Sequence, residues 1–302
     1  MSDIFTYNTM LVLLGTSLLG AASGLIGSLA VLRRQSLAGD AFSHAALPGL
    51  CLAFMVVGER NLAALLLGAF ISGILGLVVV SLLRRYTRIK QDAALGIVLS
   101  TFFGMGVVLS RIIQNQTIKG SKAGLDSYIL GKTAGIIASD VYLIGSAALL
   151  CLIVIVFLFK ELELLTFDAD FARSQGWPVA RLDLILIILL GLVVVIGLPA
   201  VGVVMMAALL ILPGVTARFW TDRLAAMLPV SVGFGVITGA VGTWLSAEYA
   251  NLPAGPIIVL IGAGLFLFSS VFAPRRGLIA RWRRANIIDT SLLDLDTPVF
   301  EA

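Results

Sequence analysis

Five long uncharged apolar runs constrain this chain more than any other feature: Thr9 to Leu32, Leu62 to Leu83, Ala93 to Ser110, Val141 to Phe159 and Met227 to Ala247. Each is long enough to cross roughly 30 Å of hydrocarbon as a helix. A peptide group in lipid finds no water to bond, so such runs fold as helices or as a closed barrel. The alternating pattern of barrel strands is missing from the sequence. The composition agrees, since 59% of the 302 residues are hydrophobic and 13% are charged, which argues against a soluble domain. The sequence therefore predicts an all-α, polytopic integral membrane bundle. The first run has no basic stretch before it and no clear cleavage site after it, so it is read as a mature helix. Cys51 and Cys151 both lie in apolar runs, where packing rather than a disulfide framework is expected.

Nine spans fit the hydropathy, near 9–32, 41–57, 62–83, 92–110, 141–159, 180–197, 200–217, 227–247 and 256–273, with eight or ten also open. Arg84, Arg85, Arg88 and Lys90 in one connection, and Arg275, Arg276, Arg281, Arg283 and Arg284 after the last span, mark both places as cytoplasmic. The inner connections then hold sixteen of the 21 basic residues, and the odd span count puts the N-terminus outside. The net charge of +4 thus speaks of orientation in a membrane, and no nucleic-acid partner is expected. The uncharged run 184–217 is too long for one helix, and Gly197-Leu198-Pro199 predicts a turn within it. The second span, with only 17 residues, is open to being tilted, broken or re-entrant. Gly20, Gly24 and Gly27 put small residues on one side of the first helix, which suits close packing.

The chemistry gathers in residues 39–50, GDAFSHAALPGL, which hold the chain's single histidine. Residues four apart on a helix share a face with Cβ atoms about 5–6 Å apart, so Asp40 and His44 can point at one spot. A carboxylate with an imidazole suits manganese, zinc or ferrous iron, whereas magnesium and calcium prefer oxygen and copper(I) prefers sulfur. Pro48 takes away the N–H that would bond the His44 carbonyl; with Gly39 and Gly49 it predicts a helix break at the site. The plainer alternatives are Asp40 as an N-cap and His44 as a packed histidine bonded to a neighbour. Two ligands do not complete a coordination shell. Waters, a second subunit or further polar groups would have to supply the rest. Cys51 is two turns beyond His44, about 10 Å away, and is read as packing.

GDAFSHAALPGL resembles the signature of the membrane subunits of bacterial ABC importers for manganese, zinc and iron, a Gly-Asp-Ala-x-Ser-His-x-x-x-Pro-Gly pattern. Agreement extends to QDAALGIVLSTFFGMGVVL (91–109), DSYILGKTAGIIASD (126–140), VGVVMMAALLILPGVTAR (201–218) and LPAGPIIVLIG (252–262), so that it runs from about residue 10 to 273. Lys132, within Leu130-Gly131-Lys132, departs from the family's usual aromatic-glycine pair. The resemblance implies that Asp40 and His44 take part in metal passage, and that 167–183, within a cytoplasmic segment at 161–180, docks an ATPase subunit. Asp168, Asp170, Ala172, Arg173, Gly176 and Pro178 are the coupling residues it indicates. The charge count independently puts this segment inside, and Gly176 and Pro178 are suited to stop one helix and start the next. One permease domain over 1–284 and a cytoplasmic tail at 285–302 follow, in a bacterial cytoplasmic membrane.

The implied partners are two copies of an ATP-binding subunit, an extracytoplasmic metal-binding protein near 58–61, 111–139 and 248–255, and a second permease subunit, identical or homologous. No resident cofactor is implied; manganese or zinc is cargo. No Gly-x-x-x-x-Gly-Lys-Ser/Thr loop occurs, so nucleotide has to be hydrolysed elsewhere and the chain is not read as an enzyme. Metal binding needs a neutral imidazole, so acid is expected to weaken transport. An intramembrane enzyme fits poorly, because a single histidine cannot make a His-Glu-x-x-His site and Ser43 lies on a different face from His44. An ion-coupled carrier using Asp40, Asp92 and Glu248, and an ABC permease for a metal chelate such as a siderophore, are the remaining alternatives.

Overall fold

A computed structural model of the chain describes residues 7–33, 35–58, 61–115, 131–249, 252–280 and 282. The 285–302 tail and much of the 111–139 connection lie outside the described residues. The elements are α1 (Tyr7–Leu32), α2 (Ser36–Val57), α3 (Leu62–Tyr86), α4 (Gln91–Asn115), a 3₁₀ turn (Thr133–Gly135), α5 (Ala138–Phe157), α6 (Phe159–Phe167), α7 (Ala169–Ser174), α8 (Val179–Val201), α9 (Val203–Trp220), α10 (Leu224–Glu248) and α11 (Ala254–Phe272). Eight of them are long and apolar enough to cross a membrane, and α9 adds a shorter apolar helix, giving the expected polytopic bundle. Local signals set the ends. The Asn61 side chain accepts from the Ala64 N–H at the start of α3, Arg84 and Arg85 sit in its last turn, and Pro178 and Pro253 precede α8 and α11.

Small residues assemble the bundle. Antiparallel to α1, α10 approaches so closely that a Cβ on Gly20 would fall on the Gly235 carbonyl, and one on Gly24 would lie 2.5 Å from the Ser231 carbonyl oxygen. Hydrogen bonds cross the same seam. The Ser231 hydroxyl donates to the Gly24 carbonyl at 2.7 Å, and Thr16 and Thr243 bond through their hydroxyls at 2.8 Å. The side pointed out by Gly20, Gly24 and Gly27 is thus the contact side, with Gly27 set against Leu210 of α9. A second group forms where α2 packs on α3 and α4, with α8 and α9 standing between the two groups and touching both. The most buried spans are α1, α2 and α8, while α3, α4, α5 and α11 turn apolar side chains outward.

Two sequence expectations need correction. The second span is not a short helix of 17 residues: α2 has 22 residues and begins at Ser36 after Gln35. Asp40 therefore sits inside the helix and is not its N-cap. Helix α8 runs through Gly197-Leu198-Pro199, and the turn to α9 falls instead at Gly202, whose φ of 80° favours glycine. Proline near a helix end removes one hydrogen bond and leaves the helix able to continue to its end. The exposed carbonyls there are taken up by the 131–136 loop. The Lys132 N–H donates to the Pro199 carbonyl at 3.1 Å, and the Thr133 hydroxyl donates to that of Ala200 at 2.9 Å.

The basic connections at 33–35, 87–90 and 221–223 gather at one end of the bundle, opposite the 131–136 loop. At this basic end Asp222 bonds to Arg275 and Arg276, and the hydrogen bond from Arg276 is the main cause holding its carboxyl below the usual carboxylate range.

The glycine seam sets an expectation. Gly20→Ala should destabilise the protein by about 1–3 kcal/mol through overpacking. Gly104→Ala, where a Cβ would meet nothing within 4 Å, should be neutral or slightly stabilising. Thermal unfolding of the detergent-purified variants distinguishes the two.

Candidate metal site

Helix α2 carries the signature stretch through the interior, and its faces are shared among four neighbours. Phe42 is fully buried between Gly73 of α3 and Gly191 of α8, either of which would collide with its ring if given a Cβ. Gly39 and Gly49 do not break the helix. They are contact points: Gly39 makes room for the Leu210 side chain, and Gly49 lies against the Gly68 backbone and Ser72. On the face toward α4, Gly106 lets Leu47 and Pro48 come close, and the His44 ring meets Phe103 edge-on with centroids 4.8 Å apart.

On that same face the His44 Nε2 and Asp40 Oδ1 are 3.3 Å apart, with the two side chains 14% and 27% exposed. The other ring nitrogen of His44, Nδ1, is buried and has no hydrogen-bond partner among the described residues. An ion about 2.1 Å from both the Nε2 and the Oδ1 would subtend an angle of roughly 104°, suited to tetrahedral coordination and tolerable for octahedral. The pair can therefore grip a divalent ion without leaving its present spacing. Among the described residues no group of three or more His, Cys, Asp or Glu side chains could hold a metal, so Asp40 and His44 by themselves would make only part of a shell. Cys51 is buried on the α4 face, its thiol 3.7 Å from the Gly106 carbonyl, in a packing role.

Pro48 changes hydrogen bonding without interrupting the helix. Its nitrogen has no proton to give the His44 carbonyl, and the next carbonyl, that of Ala45, accepts from the Ser72 hydroxyl of α3 at 2.7 Å. The result is a continuous helix with a loosened backbone one turn beyond the carboxylate-imidazole pair.

Away from the pair, 159–178 folds at the basic end. Asp168 caps α7 by accepting from the Phe171 N–H at 2.8 Å, Asp170 pairs with Arg173 at 2.6 Å, and Ala172 is buried. Gly176, at φ 82°, ends this turn, and Pro178 precedes α8. Phe167, Phe171 and Trp177 stand exposed around it.

The comparisons with known proteins converge. The model of the ABC 3 transport family matches residues 6–273. The chain belongs to the ABC 3 transport family. It is 48% identical over 275 residues to the manganese transport system membrane protein MntC of Bacillus subtilis, a match that covers 91% of this chain and 63% of that protein. It thus spans less than two thirds of that relative's length. With the zinc transport system membrane protein TroC of Treponema pallidum it shares 43% identity over 282 residues, covering 93% of this chain and 94% of TroC. Its fold is similar to a solved structure described as PsaBC from Streptococcus pneumoniae in complex with Fab, with a TM-score of 0.81, 28% identity and coverage of 94% and 97%. The chain is accordingly a multi-pass membrane subunit of an ABC 3 transport system.

The sequence points to the pair but not to Phe103 and Ser72, which pack and bond beside it. Phe103 and Ser72 sit in apolar helices with no distinguishing pattern, and only the meeting of α2 with α3 and α4 singles them out. The exposed aromatics of 167–177 did carry a signal, being large apolar residues in a stretch otherwise polar enough to lie outside the spans. Ser72→Ala should cost about 1 kcal/mol by removing the hydroxyl that bonds the Ala45 carbonyl from α3. Faster amide hydrogen exchange over 44–51 would be the check, with the Asp40–His44 pair left intact.

Proposed function

We propose that this chain is the permease subunit of an importer that moves a divalent transition metal, manganese, zinc or ferrous iron, into the cytoplasm, driven by ATP hydrolysis on a separate subunit. The observation that carries this reading is the Asp40–His44 pair, 3.3 Å apart on one face of α2, a donor set of oxygen and nitrogen suited to those ions. MntC and TroC, named for manganese and zinc, support the same class of cargo. The pair is incomplete as a shell, which suits a passing ion: a site that completed its coordination would hold the metal rather than release it.

In this reading residues up to 284 form one permease unit in the cytoplasmic membrane of a bacterium. The basic end faces the cytoplasm, the N-terminus lies outside, and the 131–136 loop faces an extracytoplasmic metal-binding protein. A second permease subunit, identical or homologous, forms the other wall of the pathway, and two ATP-binding subunits dock at the cytoplasmic face. The α6–α7 segment is the docking element. Asp168 and Gly176 hold its turn in shape, while Phe167, Phe171 and Trp177 offer the apolar surface that a partner would cover.

Uptake of labelled manganese and, separately, zinc into cells expressing the complete transporter tests the reading. Asp40→Ala and His44→Ala, at matched membrane levels, should each lower uptake of the cargo metal on the order of tenfold or more, the scale on which even supporting groups act at metal sites. Unchanged uptake in both variants would reduce the pair to packing.

A further inference from the structure

The turn between α1 and α2 is short and internally bonded. The Arg33 N–H donates to the Leu29 carbonyl at 3.0 Å, the Gln35 N–H to that of Ala30 at 2.8 Å, and the Ala38 N–H to that of Gln35 at 2.9 Å. A displacement of Arg33 is therefore carried into α2, where Asp40 lies about one helical turn past the start at Ser36, roughly 6 Å along the axis. The Arg33 side chain leaves this turn and reaches into a different part of the molecule. Its Nη2 meets the Asp183 Oδ1 on α8 at 2.6 Å, and its Nη1 donates to the Leu165 carbonyl of α6 at 3.2 Å. Leu165 lies within α6 of the docking element and Asp183 lies beyond that element on α8, where the charge of Arg173 on α7 also acts on it. One guanidinium thus joins the turn that leads into α2 both to the segment proposed to meet the ATPase and to the helix that follows it.

Static stability does not account for this arrangement. The Arg33 side chain is 11% exposed and that of Asp183 is 30% exposed. A mostly buried ion pair is a weak stabiliser compared with apolar residues of similar volume, because both charges lose hydration. The Arg33 Nε is also buried with no hydrogen-bond partner among the described residues, a cost that a merely structural contact would avoid. A tie that holds two separately moving bodies in register has a use for such a pair. The packing is divided in a way that allows it: α2 packs chiefly with α3 and α4, α1 packs chiefly with α10, and the turn after Leu32 lies between the two groups.

We infer that Arg33 is a positioning residue, bound to Asp183 and the Leu165 carbonyl, that transmits movement of the α6–α7 docking segment through the α1–α2 turn to the helix bearing Asp40 and His44. This inference rests on the importer reading above. It differs in what would break it, since it concerns the coupling of hydrolysis to movement and not the identity of the cargo.

The test uses the complete transporter, with its ATP-binding subunit and its metal-binding protein, in proteoliposomes. Arg33→Met with Asp183→Leu removes the pair without stranding a buried charge, so the fold is expected to survive. Arg33→Asp with Asp183→Arg exchanges the partners. Manganese and zinc uptake per ATP hydrolysed should fall roughly tenfold in the apolar pair and recover by about threefold in the exchanged pair, where the ion pair is restored but the carboxylate at the turn has no proton to give the Leu165 carbonyl. Spin labels at Leu37 on α2 and Ile237 on α10, both exposed, give a second readout that needs no cargo. Their distance should change with nucleotide in the wild type and the exchanged pair, and stay fixed in the apolar pair. Uptake and hydrolysis falling in proportion, an unchanged ratio, loss of folding in both double variants, or a wild-type distance indifferent to nucleotide would each overturn the inference. A wild type that moves neither metal while its label distance still follows nucleotide would sink the cargo reading and leave the tie standing.

Discussion

Backbone meeting backbone is the contact on which this structure depends. Lipid tails are as apolar as leucine, so burying apolar side chains between helices gains little in a membrane, and association rests on close packing and interhelical hydrogen bonds. The seam between α1 and α10 shows how the sequence meets that condition. Gly20 and Gly24 bring the chains close enough for the Gly24 carbonyl to accept from Ser231, and Thr16 meets Thr243 further along. The contact between α2 and α3 repeats the solution with Gly49 and Gly68, and there the adjoining hydroxyl, Ser72, has a second use. It stabilises a carbonyl next to the one that Pro48 leaves without its helical donor.

The same close approach fixes the site. Gly106 brings α4 against Leu47 and Pro48, which places Phe103 at the edge of the His44 ring. An imidazole wedged beside an aromatic edge has few rotamers open to it, and Asp40 one turn earlier is held at ion-sharing distance by the helix itself. Preorganisation here comes from glycine on the neighbouring helix as much as from the liganding residues.

Much of this was legible because membrane helices announce themselves by length and apolarity, and because i and i+4 spacing fixes which side chains share a face. The parts that were not legible have a common cause. Proline was read as a break at 197–199 and at Pro48, yet α8 and α2 both continue through it. In each case a group from elsewhere in the chain satisfies a neighbouring carbonyl: Lys132 and Thr133 near Pro199, Ser72 near Pro48. A single sequence shows that proline takes a donor away but not that distant residues bond the carbonyls beside the gap. The start of α2 was misplaced for a related reason, since Gly39-Asp40 looks like a cap only while the tight 33–35 turn is unknown.

Passage of an ion asks for opposite properties in one place, a grip firm enough to accept the metal and weak enough to let it go. The α2 helix divides these between its side chains and its backbone. Asp40 and His44 provide two donors of the right kind, while Pro48 leaves the helix short of a hydrogen bond one turn beyond them. A helix lacking one bond bends with less resistance than an intact one. A modest displacement of its lower end would therefore move the two donors together relative to α3 and α4 without unfolding anything, and in the proposed function that movement is what frees the ion. Only the side chains choose the metal, and they do not separate manganese from zinc, because carboxylate and imidazole accept both and geometry has to decide. That geometry is completed by whatever else surrounds the pair. On the proposed reading, selectivity is thus a property of the assembled pathway, whereas the two donors and the proline beside them are already present in twelve residues of α2.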